Sequence, residues 1–226
     1  MNGRLMKRLA LATLFALTCA IPSAQAATLQ LDINVLLEGT AVSGDQTVAT
    51  LLFEDVAPNQ VRLTVTSSLN DVDEFFSDIA FNVATGFDPS DIIASFVGGS
   101  QVGSFTLPTL SSTDQNSQNP PGAGTGLDHQ YAFTVANSGG GAERFNLNDR
   151  FQYLFTATGL DALDFGVANS AGYYALAHVQ GIGPTAGQSS VFVSNGPNVP
   201  SVPEPTSLIL LATGLIAGAR TLRKRS

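Results

Sequence analysis

Three residue types are scarce in this 226-residue chain, which has one cysteine, two histidines and no tryptophan. Cys19 lies in an N-terminal segment that we expect to be removed, so the rest of the chain offers no thiol and no disulfide. No Gly-x-Ser-x-Gly, His-Glu-x-x-His or paired-cysteine motif occurs, and two histidines are few for a dispersed catalytic triad. We therefore predict no catalytic residues, and we expect His178 to be a hydrogen-bonded residue on a strand.

Positive charge is also scarce in the middle of the chain. Between residues 27 and 202 three arginines, Arg62, Arg144 and Arg150, stand against seventeen carboxylates, so the formal charge of this part is −14. Nucleic acids and anionic lipid headgroups are bound by basic patches, which this part lacks, so we expect no nucleic-acid partner. Such an acidic surface is typical of a soluble exported domain, or of one that meets cations.

The N-terminus has the features of a secretory signal peptide over residues 1–26. The chain opens with three basic residues: Arg4, Lys7 and Arg8. An apolar run follows over residues 9–21, and it is short for a transmembrane helix. Ala24 and Ala26 lie three and one residues before the predicted cut, which leaves Ala27 as the new first residue. The secretion translocon and signal peptidase are therefore expected partners.

Residues 27–195 show the period-two pattern of strands. Apolar and polar residues alternate in "LQLDINVLL", "QVRLTVTSS" and "QYAFTVA", which begin at Leu29, Gln60 and Gln130. Further β-branched or aromatic runs cover residues 47–53, 76–83, 92–97, 151–156, 173–179 and 190–194. We predict an all-β ectodomain, an antiparallel β-sandwich or a jelly-roll-like fold, with one helical turn over Pro89–Ile93 capped by Asp88.

Two polar segments interrupt this pattern. Residues 111–126 are rich in Ser, Asn, Gln, Gly and Pro, which predicts a mobile loop. Residues 196–205 contain four prolines, which predict a stiff extended spacer after the ectodomain.

Acidic clusters are the candidates for a metal site in the ectodomain. In "NDVDE" three carboxylates, Asp71, Asp73 and Glu74, follow a predicted strand, and hard oxygen ligands in a turn suit Ca²⁺. Asp and Asn are also ordinary turn formers, so the cluster has a purely structural explanation as well. Two alternatives to a non-catalytic role remain open: a glycosidase-like secreted hydrolase with paired acids, and a calcium-dependent adhesive or carbohydrate-binding module.

The C-terminal stretch "VPEPTSLILLATGLIAGARTLRKRS" has a different character. Residues 207–219 carry no charge, and extending the run to 206–222 brings a helix close to the shortest length that spans a bilayer. Basic residues close the chain: Arg220, Arg223, Lys224 and Arg225. The positive-inside rule puts residues 223–226 in the cytoplasm, so we predict a short transmembrane helix with the acidic domain outside.

A Pro-Glu-Pro motif (Pro203, Glu204 and Pro205), a short apolar helix and a basic end occur here in that order. This order resembles the tail of PEP-CTERM sorting domain-containing proteins. The resemblance implies that the chain is the substrate of an exosortase in Gram-negative bacteria that make exopolysaccharide. It also implies an exported precursor anchored transiently in the inner membrane, then a product at the cell surface or outside the cell. Exopolysaccharide and matrix proteins are expected partners of the ectodomain, and no cofactor is expected unless calcium binds.

Overall fold

The computed structural model describes residues 26–44, 47–100, 109–111, 129–134 and 144–198. The strands in these ranges are β1 (Thr28–Ile33), β2 (Val35–Gly39), β3 (Ala49–Ala57), β4 (Gln60–Ser67), β5 (Phe75–Phe81), β6 (Ile93–Ser100), β7 (Thr109–Ser111), β8 (Tyr131–Thr134), β9 (Arg150–Thr156), β10 (Ala175–Ile182), β11 (Gln188–Ser194) and β12 (Pro197–Asn198). Two 3-10 helices, η1 (Pro89–Asp91) and η2 (Ala162–Phe165), also occur there. The turn that was predicted with Asp88 as its cap is therefore present but ends at Asp91.

Three of the predicted segments lie wholly or largely outside the described residues: the signal segment before Ala26, the loop over residues 112–126, and the tail from residue 199 onward. Ser111, the first residue of the predicted loop, ends β7. Pro197 and Asn198, from the predicted spacer, form β12 beside β1. Within the described ranges no helix is long and apolar enough to cross a membrane.

The strands form two antiparallel sheets, and the prediction of an all-β fold is confirmed. Among the described residues, sheet I has the order β12-β1-β3-β4-β9-β6. Sheet II has the order β2-β11-β10-β5-β8-β7. The long β3–β4 hairpin turns at Asn59, whose φ of 65° is one that asparagine tolerates better than most residues.

One hydrophobic core joins the inner faces of the two sheets. The ring of Phe53 on β3 lies 5.4 Å from that of Phe81 on β5, nearly edge to face. Phe133 on β8 similarly meets Phe151 on β9, with ring centroids 4.9 Å apart. Such contacts are favourable beyond the area that they bury, because aromatic rings attract each other edge to face. Two sheets sharing one core in this way is the arrangement of a β-sandwich.

The pattern "LQLDINVLL" was predicted as one strand, and that prediction is wrong. The chain leaves sheet I after Ile33 and enters sheet II at Val35, so β1 and β2 belong to different sheets. The alternation changes phase at the exposed Asn34: Leu36 packs on the main core, and Val35 packs on the outer face of sheet II. The amide of Asn34 donates to the Val193 carbonyl at 3.2 Å, which holds the chain at this corner.

Helix η2 closes one end of the sandwich, which we call the helix end. Phe165 stacks on Phe53 with ring centroids 4.4 Å apart and an interplanar angle of 13°. Asp161 caps the helix, and its backbone N–H is in turn bound by the carboxylate of Asp164 at 2.8 Å. These reciprocal hydrogen bonds satisfy amides that a helix start otherwise leaves without partners. At the opposite end β1 and β4 finish while β3 and β9 begin, and we call it the pocket end.

Candidate functional site

The three acids proposed as calcium ligands lie in the turn between β4 and β5, where they point in different directions. Asp71 Oδ1 accepts a hydrogen bond from the Asp73 amide at 3.0 Å, which is an ordinary Asx turn. Asp73 is exposed, whereas Glu74 is 1% exposed and points inward. In the part of the chain that the structure describes, no three His, Cys, Asp or Glu side chains are grouped so that they could hold a metal ion.

Glu74 links this turn to the loop after β2. Its Oε1 accepts a hydrogen bond from the Ser43 amide at 2.7 Å. Asn70 Nδ2 donates to the Ser43 carbonyl at 3.2 Å. The amide and the carbonyl of Ser43 are therefore both bound by side chains of the β4–β5 turn. Glu74 Oε2 is buried and makes no hydrogen bond to a described residue. The structure thus assigns Glu74 a packing role between loops that the sequence pattern did not indicate.

His178 lies on β10, as predicted, and it meets two polar residues of β5. Ser77 Oγ lies 2.8 Å from His178 Nδ1, and Asp78 Oδ2 lies 3.6 Å from the same nitrogen. A β-bulge in the β5–β10 register brings both side chains to one histidine. In a catalytic triad the carboxylate and the hydroxyl bind opposite ring nitrogens, so this arrangement is not a triad. The other histidine, His129, is 1% exposed just before β8.

A polar cavity of about 620 Å³ opens at the pocket end. Residues from four separate segments line it: Asn34, Thr47, Ser68, Leu69, Asn70 and Asn148. Each lies where a strand of sheet I ends or begins, which is why residues so distant in the chain come together. The cavity is within the size range of small-molecule sites, although it is polar where most such sites are largely apolar.

The cavity wall offers neutral hydrogen-bonding groups. Ser67, which also borders the cavity, accepts a bond from the Leu69 amide at 3.3 Å and so shapes the loop. Asn34, Thr47, Ser68 and Asn148 make no side-chain hydrogen bond to another described residue. Amides and hydroxyls can both donate and accept, so the wall suits a hydroxyl-rich, uncharged ligand better than an ion. Sequence reasoning missed this site because its residues are close only in the folded chain.

One predicted functional segment remains, the C-terminal tail with Pro203, Glu204 and Pro205. Residues 201–225 match the family model of the PEP-CTERM protein-sorting motif. The chain carries a PEP-CTERM motif. The tail residues themselves, including Arg220, Arg223, Lys224 and Arg225, lie outside the described part of the structure, as does Ala24 at the predicted signal cleavage site.

The PEP-CTERM motif implies recognition by an exosortase and sorting of a membrane-processed, exported protein to the cell surface. The match covers the tail and leaves the ectodomain without an assignment. Searches of curated proteins and of solved structures found no significant match to this chain. The role of the β-sandwich therefore has to be argued from its own residues.

Proposed function

We propose that this chain is a non-catalytic surface or extracellular-matrix protein, associated with exopolysaccharide and delivered by exosortase through its PEP-CTERM motif. The observation that carries the proposal is the match over residues 201–225, where the recognised motif would be Pro203, Glu204 and Pro205. In the precursor, residues 206–222 would span the inner membrane and the basic end would remain in the cytoplasm. Exosortase would supply the chemistry, and this chain would be its substrate.

For the ectodomain we propose binding of a neutral polysaccharide at the cavity of the pocket end. Saccharides present many hydroxyl groups, which the amide and hydroxyl side chains of Asn34, Thr47, Ser68 and Asn148 complement. Because the ectodomain segment carries a formal charge of −14, an acidic polymer would be repelled and a neutral one would not.

A catalytic role receives less support from the geometry. The Ser77, His178 and Asp78 group lacks the order of a triad, and the cavity wall contains no carboxylate among its lining residues. A glycosidase needs two carboxyl groups flanking the bond that it breaks. We accordingly propose a protein that binds its polymer without cleaving it, and that needs no resident metal to do so.

Cell fractionation tests the sorting part of the proposal. Glu204→Gln removes the charge of the motif while leaving the ectodomain untouched, so we expect the protein to accumulate in the inner-membrane fraction. The same accumulation is expected of the unaltered protein in cells that lack exosortase. Glu38→Gln, a change at an exposed acid of β2, is the matched control and should reach the surface normally. Normal surface delivery of Glu204→Gln would contradict the proposal.

Binding to neutral exopolysaccharide, measured by calorimetry, tests the ectodomain part. Asn34→Ala and Ser68→Ala each remove a side chain that makes no hydrogen bond to another described residue. A typical hydrogen bond contributes about 1 kcal/mol, so each change should weaken binding roughly fivefold. Thr158→Ala, at an exposed turn near the helix end, should leave the affinity unchanged. Equal affinity for all variants, or no binding by the unaltered protein, would refute the assignment of the cavity.

A further inference from the structure

Ala27, the residue that the predicted signal cleavage would make the first, is bound to Asp55 through both of its backbone groups. Ala27 packs against the main core, and its carbonyl accepts a hydrogen bond from the Asp55 amide at 3.0 Å. The Ala27 nitrogen in turn donates to Asp55 Oδ2 at 2.9 Å. Ala26 is exposed, whereas Ala27 is half-buried.

We propose that Asp55 is the docking site for the α-ammonium group that signal peptidase creates on Ala27, so that maturation installs an ion pair at the helix end. Hydrolysis of the Ala26–Ala27 amide consumes one water molecule. Ala26 departs as a carboxylate, and the nitrogen retained by Ala27 ends as an ammonium group. The inference depends on the predicted cleavage position and is independent of the proposed function.

Geometry already fits the product of cleavage. The amide N–H donates one hydrogen bond to the Asp55 carboxylate, whereas an ammonium at the same position adds a full positive charge and two further donors. The added charge brings a Coulomb attraction to the carboxylate that the amide lacks. The second oxygen of the same carboxylate, Oδ1, accepts from the Ala162 amide at 2.8 Å. Asp55 therefore connects the new N-terminus directly to the start of η2.

The electrostatic surroundings favour a cation here. Asp161 and Asp164 lie near Asp55, and the pKa of the Asp164 carboxyl is raised mainly by burial, with further contributions from the charges of Asp161 and Asp55. A hydrogen bond from the Asp161 backbone opposes this rise. A positive group on Ala27 would offset the repulsion among the three acids.

The three arginines of the described residues are engaged or placed elsewhere. Arg62 pairs with Glu54 at 3.0 Å, and the guanidinium of Arg144 lies 4.0 Å from the centre of the Phe75 ring. Arg150 is the first residue of β9 and lies toward the pocket end, because the last residue of that strand is the one that leads to η2. The N-terminal ammonium is thus the cation that the helix end would gain on maturation.

Amine reactivity of the exported protein provides the most direct test. From Ala27 onward the sequence contains one lysine, Lys224, which lies in the tail. A processed chain therefore has the α-amine as its one amine, and in a chain that keeps the tail peptide mapping separates the two. A free α-amine has a pKa near 8, and pairing with Asp55 should raise it. Each unit of increase slows acylation about tenfold at neutral pH, so we expect Asp55→Asn to be labelled roughly tenfold faster. Glu54→Gln, at the neighbouring carboxylate, should react like the unaltered protein.

Thermal stability gives a second, independent measurement. A Gly-Ser extension before Ala27 turns the ammonium back into an amide, and it should lower the melting temperature by about 3 °C. The same extension in Asp55→Asn should cause little further loss, because the pair is already absent. An N-terminus other than Ala27 in the exported protein would overturn the proposal. An α-amine with ordinary reactivity in the unaltered mature protein would overturn it equally, and that measurement needs no variant.

Discussion

Ser77 and His178 are 101 residues apart in the chain, yet Ser77 Oγ lies 2.8 Å from His178 Nδ1 across the β5–β10 pair. Asp78 approaches the same ring nitrogen at 3.6 Å. His178 Nε2, the nitrogen that a nucleophilic serine would need, is buried and makes no hydrogen bond to a described residue. Ser77 itself is 4% exposed. The three residues have the composition of a hydrolase triad and the geometry of a structural hydrogen-bond cluster.

We expect a fluorophosphonate probe, which phosphonylates activated serines, to leave Ser77 unlabelled. Ser77 is buried, and Asp78 approaches the same ring nitrogen of His178 as Ser77 does, where a triad needs the opposite one. Ser77→Ala should remove a buried hydrogen bond and lower the free energy of unfolding by about 1 kcal/mol. Mass spectrometry of the treated protein, with a known serine hydrolase as the positive control, provides the measurement. Labelling at Ser77 would contradict the non-catalytic interpretation.

Calcium should leave the ectodomain's thermal stability unchanged. Asp71 is used by its own turn, Asp73 is exposed, and Glu74 is held by the Ser43 amide, so their carboxylates do not converge. Melting curves in CaCl₂, MgCl₂ and chelator provide the comparison. If Ca²⁺ alone raises the midpoint by several degrees, and Asp73→Asn abolishes that rise, the turn is a calcium site after all.

Phe81 should contribute far more to stability than Phe96. Phe81 is fully buried and its ring meets five other aromatic rings: Phe53, Tyr131, Phe133, Phe155 and Phe165. Phe96, on edge strand β6, is 39% exposed. Phe81→Ala should lower the free energy of unfolding by roughly 3–5 kcal/mol, and Phe96→Ala by about 1 kcal/mol or less. Urea denaturation measures both, and losses of similar size would refute the described core.

Two aspartates should give opposite pH dependences of stability. Burial raises the pKa of Asp149 above the ordinary 3.8, although a hydrogen bond from the Asn146 amide opposes this. Hydrogen bonds from the Ser90 amide and hydroxyl lower the pKa of the exposed Asp88. The contribution of Asp149 to stability is therefore present below pH 3.8 and is lost as the pH rises through the raised pKa of the folded protein. The contribution of Asp88 is present above pH 3.8 and is lost as the pH falls through its lowered pKa.

Urea denaturation of Asp149→Asn and Asp88→Asn between about pH 3 and pH 7 checks these signs. Compared with the unaltered protein, Asp149→Asn should lose less stability as the pH rises above 3.8. Asp88→Asn should lose less as the pH falls below that value. For each variant, the difference in free energy of unfolding from the unaltered protein can be plotted against pH. If these two plots slope in the same direction, the two carboxyls do not titrate as their surroundings imply.

Strands with one buried and one solvent-exposed face were predictable, because the alternation of apolar and polar residues can be read from neighbouring positions in the sequence. β9 shows this: residues 151–156 were predicted, and β9 begins one residue earlier. β10 is harder, since Ala177 faces the main core while Leu176 is buried on the outer face of sheet II, so little alternation survives. A local pattern also cannot tell which sheet a strand joins, and this is why the passage from β1 to β2 was missed.

The candidate sites also divide into one that is contiguous in sequence and two that form only in the folded chain. The sorting motif is contiguous and could be identified from Pro203, Glu204, Pro205 and the residues after them. The cavity brings together strand ends from four segments, and Asp55 meets Ala27 and Ala162 across 28 and 107 residues. No spacing rule predicts such contacts, because they follow from strand order and register.

Intact-mass analysis of the protein recovered from the cell surface tests the central claim most directly. Exosortase sorting through the PEP-CTERM motif predicts a chain that begins at Ala27 and ends near Pro203–Pro205, with residues 206–226 absent. Glu204→Gln should retain those residues while its ectodomain melts at the same temperature as that of the unaltered protein. A surface protein that keeps its full tail through Ser226, or unchanged processing of Glu204→Gln, would contradict the account.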